Sequence, residues 1–187
     1  MILYRCFAWN ERAKDQEPDG PLWFPRPFQG EGRHDNPDLY GSLYVSDRPL
    51  ASIVEQLARF RGQRLLPSLL KRRGLPLGLA ELDIVDPANL IDLDDPEVLL
   101  REHLRPSQIA TRQRETTQTQ ARTLYERHAD AAGLRWWSTH ESLWTNVTLF
   151  DRASTLLRIG SVRALVIDDP DVIEAADFFG LRASMRT

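Results

Sequence analysis

Three residues spread along a turn, a strand and a helix carry the clearest chemical potential of this chain: Arg33, Tyr44 and Glu55, evenly spaced within residues 30–60. Arg33 sits in a Gly/Asp/Asn/Pro-rich loop, Tyr44 in the short apolar run 40–45, and Glu55 on an amphipathic segment that opens at Pro49. An arginine, a tyrosine and a carboxylate set out this way form a kit for gripping a dinucleotide. A second segment, GLRWWSTHESLWTNVTLF at 133–150, crowds Trp136, Trp137 and Trp144 around Ser138. A hydroxyl between indoles can line a pocket for a planar ring, although paired tryptophans more often pack a core and a strand serine is usually a surface residue.

Other chemistries find less support. The four histidines, His34, His103, His128 and His140, are scattered, with no HExxH or His-x-His spacing, so no catalytic metal is expected and solvent or capping roles are the default for most of them. Neither GxGxxG nor GxxxxGK[ST] occurs, which removes the common nucleotide-binding loops, and no GxSxG supplies a serine-hydrolase elbow. Cys6 is the only cysteine; it lies in an apolar run where a thiol is inert packing, and it leaves no partner for an internal disulfide. The pairs Asp94/Asp95 and Asp168/Asp169 each precede a helix start and read as caps.

The elements that must hold these groups follow from periodicity. Residues 2–7 read as a first strand, and the proline-rich passage 10–36, with Pro18, Pro21, Pro25 and Pro27, reads as irregular. After the strand 40–45, Leu50, Ile53, Val54, Leu57 and Phe60 recur at helical intervals as a buried stripe, and Glu55 falls off its centre. Further strands are expected at 77–85, 89–93, 134–139, 147–150 and 162–167, with a turn at Asp86 and Pro87. Helices are expected at 96–104, 107–132 and 171–179, the second stopped by Gly133. Strands and helices without regular βαβ alternation favour an α+β fold with a largely antiparallel sheet, and 187 residues suit one domain spanning 1–187.

Composition narrows the partners. Twenty-seven acidic against 24 basic residues, net −3, argue against nucleic-acid binding through the overall field. The N-terminus reaches charge too soon for a signal peptide and no run of about eighteen apolar residues occurs, so a soluble, cytoplasmic protein without membrane contact is expected.

Taken together, Leu3–Tyr4–Arg5, Gly32–Arg33, Gly41–Ser42–Leu43–Tyr44 with the helix start at Leu50 to Glu55, and the segment from Leu134 to Ser138 followed by Asn146 to Phe150 resemble the RES-domain family. Known members of that family include toxins of bacterial toxin–antitoxin pairs. The resemblance implies an ADP-ribosyltransferase-like fold acting on NAD⁺ as substrate, with no further cofactor and no metal. Carried over by position, it gives Arg33, Tyr44 and Glu55 catalytic roles, and makes Arg33, Tyr44, Ser138 and His34 substrate-binding. His34 stands where some relatives carry an aromatic residue and Trp137 replaces a smaller one, two departures that alter pocket shape.

The implied chemistry suits those groups. Cleavage of the nicotinamide–ribose bond passes through an oxocarbenium-like state that the Glu55 carboxylate would stabilise. The planar fork of Arg33 suits a pyrophosphate, Tyr44 can stack on departing nicotinamide, and Ser138 can hydrogen-bond a ribose hydroxyl or an incoming phosphate.

Three functions follow as expectations. The first is an NAD⁺-degrading toxin passing ADP-ribose to phosphate or water, held in check by a helix-turn-helix antitoxin. The second is a mono-ADP-ribosyltransferase that modifies a target protein. The third is a non-catalytic regulatory module in which the Arg/Gln-rich helix at 107–132 contacts nucleic acid or a partner; the lack of a basic stripe counts against it.

Overall fold

A computed structural model describes residues 1–85 and 89–181; the turn expected at Asp86 and Pro87 lies outside them. The chain resolves into two compact units, each assembled from separate segments. One comprises residue 1, 24–45 and 84–157; the other comprises 2–23, 46–83 and 158–187.

The second unit is built on β1 (Ile2–Ala8), which pairs antiparallel with β4 (Leu75–Ile84) from Ile2 opposite Asp83 to Ala8 opposite Leu77. The short β3 (Lys71–Arg72) also pairs with β4, antiparallel, and β8 (Leu157–Ala164) pairs with β4 as well. Tyr4 meets Ser46, the last residue of β2 (Ser42–Ser46), again antiparallel. Helix α1 (Pro49–Leu57) starts at proline and packs on β1 and on α5 (Pro170–Phe178). Its buried face is Ala51, Ser52, Ile53, Val54 and Leu57, and Glu55 is half-buried beside it, as the stripe predicts. Phe60 does not extend that stripe, because the α-helix tightens at Ala58–Phe60 into a 3₁₀ turn.

The proline-rich passage 10–36 is irregular, as expected, with a single 3₁₀ turn at Arg26–Phe28. Its early part is anchored by Arg5, whose buried guanidinium donates to the carbonyls of Gly20 (3.1 Å), Pro21 (2.6 Å) and Trp23 (2.9 Å). Cys6 is buried, and burial pushes its thiol up to about 12, consistent with inert packing.

The first unit carries β2, β7 (Thr145–Phe150), β6 (Gly133–Trp137) and β5 (Leu90–Asp92) in that spatial order. The β6–β7 pair is antiparallel and β5–β6 is parallel. Helices α2 (Pro96–Arg101), α3 (Pro106–Ile109) and α4 (Arg114–Arg127) complete it. Its core gathers Tyr40, Leu93, Leu124, Leu134, Trp136 and Phe150. The eight strands among the described residues and their flanking helices are the expected α+β, mainly antiparallel architecture.

Several boundaries depart from the sequence reading. The helix expected over 107–132 is two helices, interrupted at 110–113, where the carbonyls of Ile109 and Thr111 accept hydrogen bonds from Arg33. Gly133 is no helix stop. It opens β6, where a Cβ would collide with the Thr148 carbonyl of β7. The last strand lies earlier than 162–167: β8 is largely exposed, and Arg158, Gly160 and Ser161 break up its apolar residues, which blurs its start in a hydrophobicity reading. Asp95 caps α2 through the Glu97 amide, 2.8 Å. Asp169 instead pairs with Arg163, 2.7 Å, and accepts from the Val166 amide, 2.9 Å, leaving α5 without a side-chain cap. Among the described residues no helix is long and apolar enough to cross a membrane.

Candidate active site

The turn from Gly30 to Asn36 is held on every side within the first unit. The Asp35 carboxylate lies at its centre. One oxygen accepts from the backbone amides of Gly30 (2.9 Å) and Gly32 (2.7 Å), and the other from the hydroxyls of Ser42 (2.7 Å) and Tyr44 (2.8 Å). Helix α4 grips the same turn: the Gln118 amide donates to the carbonyls of Gly30 and Gly32, both 2.9 Å, and the Thr117 hydroxyl to that of Arg33, 2.6 Å. Tyr40 closes it from below, donating to the His34 carbonyl at 2.6 Å.

Arg33 projects from this turn and is 5% exposed. Its Nη1 donates to the carbonyls of Ile109 (2.6 Å) and Thr111 (2.9 Å), and its guanidinium lies 5.0 Å from the ring centre of Trp136. These contacts fix the plane of the fork, the property that distinguishes arginine from lysine.

His34 is buried rather than solvated. Its Nδ1 lies 2.8 Å from Thr148 Oγ1, which also accepts from Trp136 Nε1 at 3.2 Å, and its ring meets Trp136 edge-on. Burial first, then the charges of Arg33 and Arg114, lower its pKa to about 3, so the imidazole is neutral at physiological pH.

Tyr44 is half-buried, and its hydroxyl is engaged twice, donating to Asp35 and accepting from the His34 amide at 2.9 Å. Burial and then the Asp35 charge push its phenol well above the ordinary tyrosine value. Doubly engaged and with its pKa raised, the phenol is protonated at physiological pH.

The structure therefore brings Arg33, His34 and Tyr44 into one hydrogen-bonded cluster. Ser138 belongs to the same unit but lies just past β6, not in it. It is 2% exposed, and its Oγ accepts from the His140 amide at 3.2 Å, while its own amide bonds to the Trp144 carbonyl. The side chain thus helps close the loop before β7. Trp136 packs in the core and braces Arg33 and His34; Trp144 is buried as well, and Trp137 is half-buried. Glu55 stands on α1 in the other unit.

Asp35, Thr148, Thr117 and Gln118 escaped the sequence reading. Only Asp35 left a local signal, an acid two residues after Arg33 in a glycine-rich turn. The others approach through tertiary packing. Among the described residues no three His, Cys, Asp or Glu side chains are grouped to hold a metal ion.

Comparison with known proteins assigns the chain to a family. No curated protein sequence matches it. Among solved structures, a chain of the M. tuberculosis MbcT–MbcA toxin–antitoxin complex is similar in fold, with a TM-score of 0.62 at 17% identity, covering 97% of this chain and 88% of that one. The sequence profile of the RES domain matches residues 2–168, nearly the whole chain. The protein with this pinned Arg33 turn belongs to the RES-domain family.

Proposed function

We propose that the protein is a toxin that consumes NAD⁺ by cleaving its nicotinamide–ribose bond. The observation that carries this reading is the turn at 30–36, in which a guanidinium with a fixed plane and a tyrosine with a fixed hydroxyl belong to one hydrogen-bonded assembly. Preorganised groups of this kind suit a ligand with a pyrophosphate and an aromatic ring, because little ordering remains to be done when it binds.

In this reading Arg33 addresses the pyrophosphate and the ring of Tyr44 stacks on nicotinamide. The Glu55 carboxylate stabilises the oxocarbenium character that develops as the C1′–N bond breaks. The electron pair of that bond leaves with nicotinamide, and an oxygen of phosphate bonds to C1′ to give a phosphorylated ADP-ribose; water would give ADP-ribose. Ser138 orients the ribose or the acceptor, directly or through the loop it closes. His34 contributes as a neutral ring that braces Trp136 under Arg33. The fold likeness to a toxin–antitoxin complex supports an antitoxin partner, which we take to be a helix-turn-helix protein, and a cytoplasmic site of action.

The test is release of nicotinamide from NAD⁺ by the purified chain, with and without phosphate, and products identified by mass. Glu55→Gln keeps size and hydrogen bonding but deletes the charge, and the rate should fall by roughly 10²–10³. Expression of the unmodified chain should arrest growth and lower cellular NAD⁺, and the Gln variant should not. Full activity in Glu55→Gln would remove Glu55 from catalysis. ADP-ribose found on a protein target would convert the assignment to a transferase, and a rate indifferent to phosphate would make it a glycohydrolase.

A further inference from the structure

We propose that Asp35 is the positioning residue of this site, a buried carboxylate that locks the Tyr44 ring and the Arg33 turn into one geometry and so sets how tightly the dinucleotide is captured. The inference rests on the functional reading above.

Four donors converge on Asp35, two backbone amides on one oxygen and two hydroxyls on the other, all between 2.7 and 2.9 Å. The residue is 5% exposed. A carboxylate taken out of water persists only where its lone pairs are met, and four donors meet them. The two sets serve different parts of the site. The Gly30 and Gly32 amides belong to the turn that carries Arg33, and the Ser42 and Tyr44 hydroxyls belong to β2. Asp35 is thus the joint between the pyrophosphate and nicotinamide ends of the proposed site.

Space around the joint is filled. A Cβ on Gly32 would lie 2.5 Å from Tyr44 Oη and 2.6 Å from each Asp35 oxygen. Direction is fixed too: Tyr44 Oη accepts from the His34 amide, so its proton points to Asp35. An isosteric amide replaces the acid poorly. With its oxygen on the Gly30 and Gly32 amides, its NH₂ faces the two hydroxyls, which must then turn to accept, although Tyr44 Oη already accepts from the His34 amide. Asp35→Asn therefore removes the charge and the bond that Tyr44 donates while keeping the shape of the joint.

The test uses steady-state nicotinamide release on the intact chain. Asp35→Asn should raise KM for NAD⁺ by roughly tenfold or more, the worth of a hydrogen bond to a charged group, with kcat changed by less. A merely structural role would lower the folded fraction, reducing apparent kcat at constant KM, and that pattern would overturn the proposal. Tyr44→Phe should raise KM severalfold in the parent but by less than about twofold in the Asp35→Asn background, because the bond it removes is already lost. Independent, multiplicative effects would also overturn it. Where Asp35→Asn does not fold, Tyr44→Phe alone decides, and an unchanged KM refutes the coupling. If the parent chain releases no nicotinamide, the functional reading has failed. The joint is then read from phenol absorbance: Tyr44, identified by difference from Tyr44→Phe, should ionise at lower pH in Asp35→Asn than in the parent, and equal titration would dismiss it.

Discussion

Gly32→Ala tests the packing at the centre of the site with the smallest change available. The added methyl would sit 2.5 Å from Tyr44 Oη and 2.6 Å from both Asp35 oxygens, well inside ordinary contact. Backbone conformation is not the obstacle, because Gly32 is not among the glycines in the left-handed region, whereas Gly30, at φ +137, is. The atoms that must yield are tied to each other at 2.8 Å and to the Gly30 and Gly32 amides at 2.9 and 2.7 Å, so they cannot shift without losing a hydrogen bond to a charged acceptor. One such loss, with the crowding, costs about 2–3 kcal/mol. For a chain of this length that is a fall in Tm of about 4–12 °C. Calorimetry or urea unfolding reads the stability, and KM for NAD⁺ should rise in the same variant because Tyr44 is displaced. Gly30→Ala is the contrast: no atom lies within 4 Å of its added methyl, so its cost is backbone strain and Tyr44 stays in place. A Gly32→Ala protein within about 0.5 kcal/mol of the parent and equal in KM would refute the reasoning.

Arg33→Lys should weaken NAD⁺ binding in calorimetry despite conserved charge. It should also lower stability by about 1–3 kcal/mol, since an ammonium has no planar group to lie over Trp136 while one nitrogen reaches both carbonyls. Arg5→Met should free the carbonyls of Gly20, Pro21 and Trp23, and limited proteolysis should then cut within residues 10–23 faster than in the parent. Burial by itself would raise the Glu102 carboxyl, but hydrogen bonds from His128, Arg127 and Arg101 outweigh it and hold its pKa below the ordinary value. Its stabilisation is present above the unfolded carboxyl value of about 4.3 and is lost as pH falls through the lower folded value. Urea midpoints should therefore drop more steeply below about pH 4.3 in the parent than in Glu102→Gln, and parallel curves would remove Glu102 from acid sensitivity.

Much of the fold was legible from local pattern, because burial imposes periodicity directly on side-chain type. The α1 stripe, the proline-led helix starts and the core strands β1, β4 and β7 all appear within a few residues of their expected places. The resemblance to the RES-domain family rests instead on short motifs in order along the chain, Gly32–Arg33, Gly41 to Tyr44 and Leu50 to Glu55 among them, and the family profile matches residues 2–168. What tertiary structure decided was where polar groups find their partners. Nothing near residue 110 in sequence announces that Ile109 and Thr111 turn their carbonyls to an arginine far up the chain and so break a helix. The strand expected at 162–167 overlaps only the end of β8, because Arg158, Gly160 and Ser161 interrupt the apolar residues at its start, and the shift of Ser138 from strand to loop turned on a pairing that ends at Trp137. The burial of His34 likewise depends on Thr148, brought in by β7. Sequence alone determined which groups are present and, for Arg33, Tyr44 and Glu55, the turn, strand and helix on which they ride. Folding determined which are exposed and which are spent on one another, because hydrogen bonds between distant segments are satisfied by proximity in space and leave no period along the chain.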